Sequence, residues 1–261
     1  FVTAERERYV RQKTLLIIVE ANLSWESPSN YIVPEAYQYT VQKEYKPEIM
    51  YTERVLALSD QEFGTYLKRR NVSGILLVTS RFNGDEPILL KLKPLDVPVV
   101  LPHGRRNDGE VTGFGNIYID APLAVDSAIG YLVSKGHKKI GFAGLKSSDV
   151  PFRKKSLQDV LTALEKNGCS TNPAYFVEMF YGSDVSNGIL QIIDVDDPPT
   201  AIILFSDFFA VEAYRAIKGA GKSIPEDVSV LGICGNPDAD MVTPHLTTID
   251  QPNFDIAATA A

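Results

Sequence analysis

The residues with most chemical potential stand just after short apolar runs, where a strand would hand over to a helix or loop. After "TLLIIVE" comes "EANLSW", with Trp25 the only tryptophan. Its ring can stack on a ligand, as aromatic side chains do in small-molecule pockets, and a core or surface role stays equally open. After "GILLVTS" come Ser80 and Arg81, and after "VPVVLPHG" come His103, Arg105 and Arg106. A lone histidine is more often structural than ligand-binding, so His103 is a candidate contact and no more. In "SSDVPFRKKSLQDVL", Arg153 falls in the first turn of a helix. A guanidinium there can donate several hydrogen bonds to hydroxyls, a carboxylate or a phosphate; a solvated arginine beside Lys154 and Lys155 is the alternative. "LFSDFFAVEAY" sets Ser206 and Asp207 at a strand-to-helix corner, with Asp207 expected as a cap first and Ser206 as the ligand contact. "LGICGNPD" places Cys234 and Asn236 beyond another strand end. Cys234 reads as a small buried residue in preference to a nucleophile, since no activating base stands beside it in sequence.

Motifs for catalysis do not assemble around these residues. The sequence has no GxSxG, Walker A or HExxH signature. "GFGNIY" begins like a dinucleotide-binding glycine loop, but Tyr118 occupies the third glycine position. Three histidines, two cysteines and no carboxylate cluster give little basis for metal chemistry. Neither a cofactor nor a metal is expected, and no enzymatic activity.

The elements that would position these residues alternate regularly. "TLLIIVE" reads as a strand covered on both faces, "PEIMYTE" as a second strand and "GILLVTS" as a third, buried one, and "VPVVLPHG" holds a fourth. A weak helix is expected over "PEAYQYTVQKEYK". "SDQE" at Ser59–Glu62 matches a capping box that opens a helix running to about Arg70. In the second half Asp120 caps a helix in which Val125, Ile129, Leu132 and Val133 share a face, and Gly136 ends it. Strand "KKIGFAGL" follows. Next comes a helix with a stripe of Leu157, Val160, Leu161 and Leu164, stopped by Gly168. "AYFVEMF", a short helix, "TAIILFS", the helix "FFAVEAYRAIKGAG", "DVSVLGI" and "LTTIDQP" complete the run. Alternating β and α with apolar strands implies parallel sheets with helices on both faces. The strands are too many for one sheet. The expected fold is therefore α/β, with two Rossmann-like lobes and ligand-binding residues beyond the carboxyl ends of the strands.

Composition narrows the setting. A chain of 261 residues can bury a substantial core in one large domain or two lobes. Its net charge of −7 argues against a surface that wraps nucleic acid or an anionic membrane. Cys169 and Cys234 show no CxxC spacing, which favours a reducing compartment over a disulfide framework. No apolar run approaches the length of a membrane span, and the charged start "FVTAERERYVRQKT" does not look like a signal peptide. It looks like a linker entering the domain.

Taken together, "IYIDAPLAVDSAIGYLVSKGHKKIGFAG", Arg153, "PTAIILFSDFFAVEAYRAIKGAGKSIPEDVSVLGI" and "TPHLTTIDQP" resemble the effector-binding domain of the LacI/GalR family of bacterial transcription regulators. The resemblance covers nearly the whole chain. It implies the type I periplasmic-binding-protein fold: two Rossmann-like lobes with a small molecule in an interlobe cleft. It also implies a homodimer in the cytoplasm, with lobe orientation read by attached DNA-binding heads. The implied boundaries are a linker at 1–13, an N-terminal lobe at 14–118 plus 246–261, and a C-terminal lobe at 119–245. By the same resemblance Arg153 matches an arginine that grips sugar hydroxyls or other polar groups. Ser206 and Asp207 match an Asn-Asp pair, with Ser in place of the ligand-facing Asn. Tyr181 lies near a position that often carries an aromatic contact. Cys234 falls where the family typically has an aspartate that binds sugar hydroxyls, so a charged acceptor is lost there, and Asn236 or Asp238 is a candidate to compensate. The Gly136–His137 corner resembles a family signature and is taken as architectural.

Two departures are visible. The family's helix-turn-helix and hinge helix are not within this sequence, and "YVRQKTLLIIVE" is not the usual linker, so a winged-helix or AraC-type head upstream is a further option. The chain also stops at "DIAATAA", where family members continue, so a closing segment is expected beyond it. The resulting expectation is the ligand-sensing domain of a LacI-type regulator, binding a sugar or related effector. The alternatives are an extracytoplasmic sugar-binding protein of a transporter and, more distantly, an enzyme using Cys234 or His103.

Overall fold

The computed structural model describes residues 12–21, 29–79, 82–145, 151–179 and 185–261, with the side chains of 145, 151–156, 237–238 and 253–254 left aside. Strands β1 (Thr14–Val19), β2 (Lys46–Tyr51), β3 (Val72–Val78), β4 (Val99–Gly104) and β5 (Gly115–Tyr118) form one sheet in the order β2-β1-β3-β4-β5. Strands β6 (Ile140–Leu145), β7 (Phe176–Met179), β8 (Ala201–Phe205), β9 (Ser229–Cys234) and β10 (Thr247–Asp250) form a second, ordered β10-β9-β8-β6-β7. Every pairing between these strands is parallel. In each sheet the first strand pairs with both the second and the third, so the two share one winding order. That order puts a topological switch point between β1 and β3 in one sheet and between β6 and β8 in the other, where such folds bind ligands.

The described helices are α1 (Ser29–Gln42), α2 (Thr52–Ala57), α3 (Asp60–Arg69), α4 (Pro87–Leu92), α5 (Asp108–Thr112), α6 (Ala121–Ser134), α7 (Pro151–Lys166), α8 (Val185–Ile193), α9 (Ala210–Gly219) and α10 (Asn253–Ala260). The chain divides into two compact units: residues up to Ile119 with Pro252–Ala261, and Asp120–Gln251.

Unit 1 buries both faces of its sheet, as its continuous apolar strands require. Leu16, Ile18, Ile75 and Leu77 pack on Phe63 and Leu67 of α3 and on Leu89 and Leu92 of α4. Leu15, Ile17, Val19, Leu76 and Val78 pack on Ile32 and Ala36 of α1 and on Ile256 and Ala257 of α10. The period of two along β1 sends alternate side chains to the two layers. Unit 2 repeats the plan. Phe142, Ile203, Leu231 and Ile233 meet Val125 and Ile129 of α6 and Val160 and Leu164 of α7. Ile202, Leu204 and Val230 meet Ile189 of α8 and Ala213 and Ile217 of α9.

Local signals in the sequence match the observed ends. Ser59 and Glu62 form both halves of the capping box of α3. The Asp120 side chain accepts from the Leu123 amide at the start of α6. Gly136 takes φ +95°, and the His137 amide returns to the Leu132 carbonyl at 3.1 Å, closing α6. His137 Nδ1 then lies 2.9 Å from Thr200 Oγ1, tying the corner to the entry of β8, and partial burial pushes its pKa down.

Other elements differ from expectation. Helix α1 begins at Ser29, five residues before the expected start, and keeps Pro34 inside it. Burial of Ile32 and Ala36 outweighs the hydrogen bond a helical proline forfeits. "GFGNIY" is the edge strand β5 and not a phosphate loop. Strand β10 pairs with β9, so residues 247–250 lie in unit 2, where the sequence reading had put them in the first lobe. Thr247 opposite Leu231 and Asp250 opposite Cys234 fix that register.

Candidate functional site

The carboxyl ends of the parallel strands collect the polar groups of both units. In unit 2, β8 ends at Phe205, and Ser206 and Asp207 follow directly. Asp207 starts the short 3-10 turn Asp207–Phe209 and is 0% exposed. Its carboxylate accepts from the Asn236 amide at 2.9 Å and from the Thr248 hydroxyl at 2.8 Å. The Thr248 oxygen accepts in turn from the Gly235 amide at 3.3 Å. Asp207 thus binds the turn after β9 to strand β10. Gly232 on β9 makes room for it, since a Cβ there would overlap Asp207 Oδ1.

Asp207, expected as a cap first and also a candidate contact through the family's Asn-Asp pair, is instead a fully buried carboxylate held by protein donors that tie the turn after β9 to β10. Ser206 is half-buried beside it.

Cys234 closes β9 with φ +126°, and Gly235 follows with φ +66°. Two successive positive φ values kink the chain sharply away from the sheet. The first falls on a residue with a Cβ, where that conformation is strained. Burial pushes the Cys234 thiol up to about 12; the Asp207 charge adds to this and a hydrogen bond with Ser206 offsets part of it. The thiol is therefore protonated at neutral pH and is a poor nucleophile. Asn236 is half-buried one step further, its amide held by Asp207.

Arg153 lies in the first turn of α7, the helix that follows β6, so the switch point of the second sheet has Arg153 on one side and Ser206 on the other. The Arg153 side chain lies outside the described residues, as do Trp25, Ser80 and Tyr181 entirely.

In unit 1, His103 is the penultimate residue of β4 and meets the Tyr31 ring edge-on, with centroids 6.2 Å apart. Burial pushes its pKa below the ordinary value, so the imidazole is neutral at pH 7. The Arg105 backbone holds Asp108 and Asn116, and Arg106 stacks over Tyr118 at 5.3 Å. The sequence reading missed Glu20 and Thr79, which follow β1 and β3 at the switch point and share a hydrogen bond. Their position directly after paired apolar runs was the available signal. Among the described residues no cluster of three or more His, Cys, Asp or Glu is placed to hold a metal ion, and no helix is long and apolar enough to cross a membrane.

Two parallel sheets of one winding order, with polar side chains at the switch-point ends, define a fold of the periplasmic-binding-protein type. A family model described as a periplasmic binding protein-like domain matches residues 129–261. The repressor CytR of Escherichia coli (strain K12) is 31% identical over 193 residues, covering 73% of this chain and 54% of the relative. The ribose operon repressor of Haemophilus influenzae is 32% identical over 206 residues, covering 74% and 57%. A regulatory protein of the LacI family from Chloroflexus aggregans has a solved structure that superposes with a TM-score of 0.73 at 18% identity, covering 95% of this chain and 87% of that one. The chain belongs to the periplasmic-binding-protein-like domain family, in the form carried by LacI/GalR transcription regulators. It spans about half the length of the curated relatives it matches.

Proposed function

We propose that this chain is the effector-sensing part of a cytoplasmic LacI-type transcription regulator that acts as a dimer. A sugar or related small polar molecule is its effector. Operator DNA is contacted by a head that the whole protein carries outside these residues. The observation that carries this reading is the pairing of a strand-end polar site with sequence kinship to proteins named as repressors. The same kinship speaks against a transporter receptor. A reaction through the Cys234 thiol is disfavoured, because burial pushes its pKa up to about 12 and keeps it protonated.

In this reading Arg153, Tyr181, Ser206, Cys234 and Asn236 of unit 2, and Trp25, Ser80 and His103 of unit 1, are effector contacts. Asp207 fixes the turn that presents Asn236. The effector binds one arrangement of the protein more tightly than another and so biases DNA affinity; coupling of this kind is typically 5–150-fold, an order-of-magnitude range.

The test is a thermal-shift panel of D-ribose, D-glucose, D-galactose, cytidine and adenosine, followed by calorimetric titration of any compound that raises the melting temperature. Arg153→Ala is expected to weaken that binding by about tenfold or more with the melting temperature of the free protein unchanged. Unchanged affinity would remove Arg153 from the site. A panel in which no compound shifts the protein would count against a sugar-type effector.

A further inference from the structure

We infer that unit 1 carries a second DNA contact: the basic face at the amino ends of β1, β2 and β3, which grips the phosphate backbone without reading sequence. This rests on the regulator function proposed above and assigns a surface that the effector site does not use.

The face is built from three chain segments brought to one end of the sheet. In the parallel register Thr14 of β1 stands opposite Lys46 of β2 and Val72 of β3. The Lys46 amide donates to the Lys13 carbonyl at 2.8 Å, and the Thr14 amide donates to the Asn71 carbonyl at 2.9 Å. The Gln12 side chain donates to the Glu44 carbonyl at 2.6 Å, and the Asn71 side chain to the Gln12 carbonyl at 3.3 Å. These bonds tie the entry to β1, the turn from α1 to β2 and the turn from α3 to β3 into one frame. The frame carries Lys13, Lys43, Lys46, Lys68, Arg69 and Arg70.

Charge on this face is one-sided. Two acids stand among these segments, Glu44 and Glu48. Glu48 is already engaged: it pairs with Lys46 at 2.7 Å and with Arg70 at 3.3 Å, and accepts from the Tyr66 hydroxyl at 2.6 Å. Lys13, Lys43, Lys68 and Arg69 are exposed and form no ion pair with any described residue. The acids of α3, Asp60 and Glu62, lie in its first turn, about 10 Å along the helix from Lys68 and Arg69.

Helix ends alone do not explain this. Cations suit the carboxyl ends of helices, where unpaired carbonyls gather. Unit 2 has the same winding and the same helix ends, but its matching strands β6, β7 and β8 begin among compensated charges. Lys139 pairs with Asp197 and Lys166 with Asp126, and Lys138 donates to the Asn167 carbonyl. Asp194 and Asp196 add negative charge before β8. The net charge of −7 thus hides a positive face on unit 1.

Open cations on a fixed frame suit a polyanion with regularly spaced charges. Position selects DNA. The chain enters unit 1 at this face through Gln12 and Lys13, so a head joined upstream holds its operator on this side. The effector contacts proposed for unit 1 belong to the opposite, carboxyl ends of its strands.

The experiment follows the fluorescence anisotropy of a labelled DNA duplex of arbitrary sequence, titrated with four proteins. They are the unaltered chain, Lys68→Gln/Arg69→Gln, Lys13→Gln/Lys43→Gln, and a control with the same loss of charge in unit 2, Lys135→Gln/Arg215→Gln. All six positions are exposed, and circular dichroism is expected to match throughout. Between about 50 and 200 mM salt the unaltered chain is expected to lose about 100-fold in affinity, as about four neutralised phosphates require. Each variant of the face is expected to lose only about tenfold over that range, and the control to keep the full loss. If the control flattens the salt dependence as much as the variants of the face do, net charge and not this face binds DNA, and the inference fails. It also fails if the unaltered chain leaves the duplex unbound at the lowest salt, or binds phosphatidylserine vesicles and not the duplex. Calorimetric titration with the sugar and nucleoside panel reads the sensing function separately, and the variants of the face are expected to bind like the unaltered chain. Failure at the duplex with effector binding intact strikes this inference alone. A chain that binds neither the duplex nor any panel compound strikes both.

Discussion

Cys234 sits at φ +126°, a conformation that costs an L-residue with a Cβ about 1–3 kcal/mol. The hydrogen bonds on either side, from Asn236 to Asp207 and from Gln251 to the Cys234 carbonyl, hold it there. Cys234→Gly and Cys234→Ala both remove the thiol, but only glycine relieves the backbone. The glycine variant is expected to be more stable than the alanine variant by about 1 kcal/mol, read from urea unfolding midpoints. Equal midpoints, or a more stable alanine variant, would mean that the backbone at 234 holds no such strain. The presence of Ser206, Cys234 and Asn236 at strand ends could be read from the sequence, because each follows an apolar run directly. The burial of Asp207 could not. Its place depends on Thr248, 41 residues away, and on the absence of a side chain at Gly232. A residue at a strand-to-helix corner looks the same in sequence whether its carboxylate faces solvent or the next strand.

At the scale of elements, the capping box of α3 carries a clear expectation. The Glu62 amide donates to Ser59 Oγ at 3.2 Å, and the Ser59 amide donates to Glu62 Oε2 at 2.8 Å. Ser59→Ala is expected to cost about 1 kcal/mol in unfolding free energy at pH 7. The Glu62 carboxyl is held below its ordinary value of 4.5, first by the backbone and then the side-chain hydrogen bond of Ser59. A depressed folded-state value stabilises above the unfolded value and ceases to do so as pH falls through the folded one. The gap between Ser59→Ala and the unaltered protein should therefore narrow in acid below pH 4.5. Denaturation curves at pH 7 and pH 3 read this directly, and a gap that widens in acid would contradict it. Helix α3 was legible because a capping box is written within four consecutive residues. Strand β5 was not: "GNIY" is short and half-exposed, and only pairing with β4 makes it a strand. Helix α1 was legible only from Pro34 onward, because proline is a strong local signal for a helix start and the packing of Ile32 under the sheet is not local.

For the whole molecule, the division into two units has a measurable consequence. Each unit closes its own layers around its own sheet, so damage to one core should stay there. At Gly232 an added Cβ would overlap Asp207 Oδ1 and stand 2.7 Å from Leu246 Cδ2, with little free space on either side. Gly232→Ala is expected to destabilise unit 2 by about 2–4 kcal/mol. Amide hydrogen exchange should then speed up along β8, β9 and β10 while β1, β3 and β4 keep their protection. Equal acceleration in both sheets would show that the units unfold as one.

The sequence by itself determined what depends on near neighbours. It set the alternation of apolar strands and helices, the caps at Ser59 and Asp120, the stop at Gly136, and hence an α/β fold with parallel sheets and polar residues at the strand ends. The tertiary structure alone decided which residues meet at those ends. It buried Asp207 beneath Thr248, paired β10 with β9 in unit 2, and brought Asp250 over Gly235 beside Cys234. The physical reason is register. Parallel strands are joined by long crossovers, so residues at adjacent strand ends lie far apart in the chain. Their contacts follow from how whole sheets and helices pack, and no short stretch of sequence contains that information.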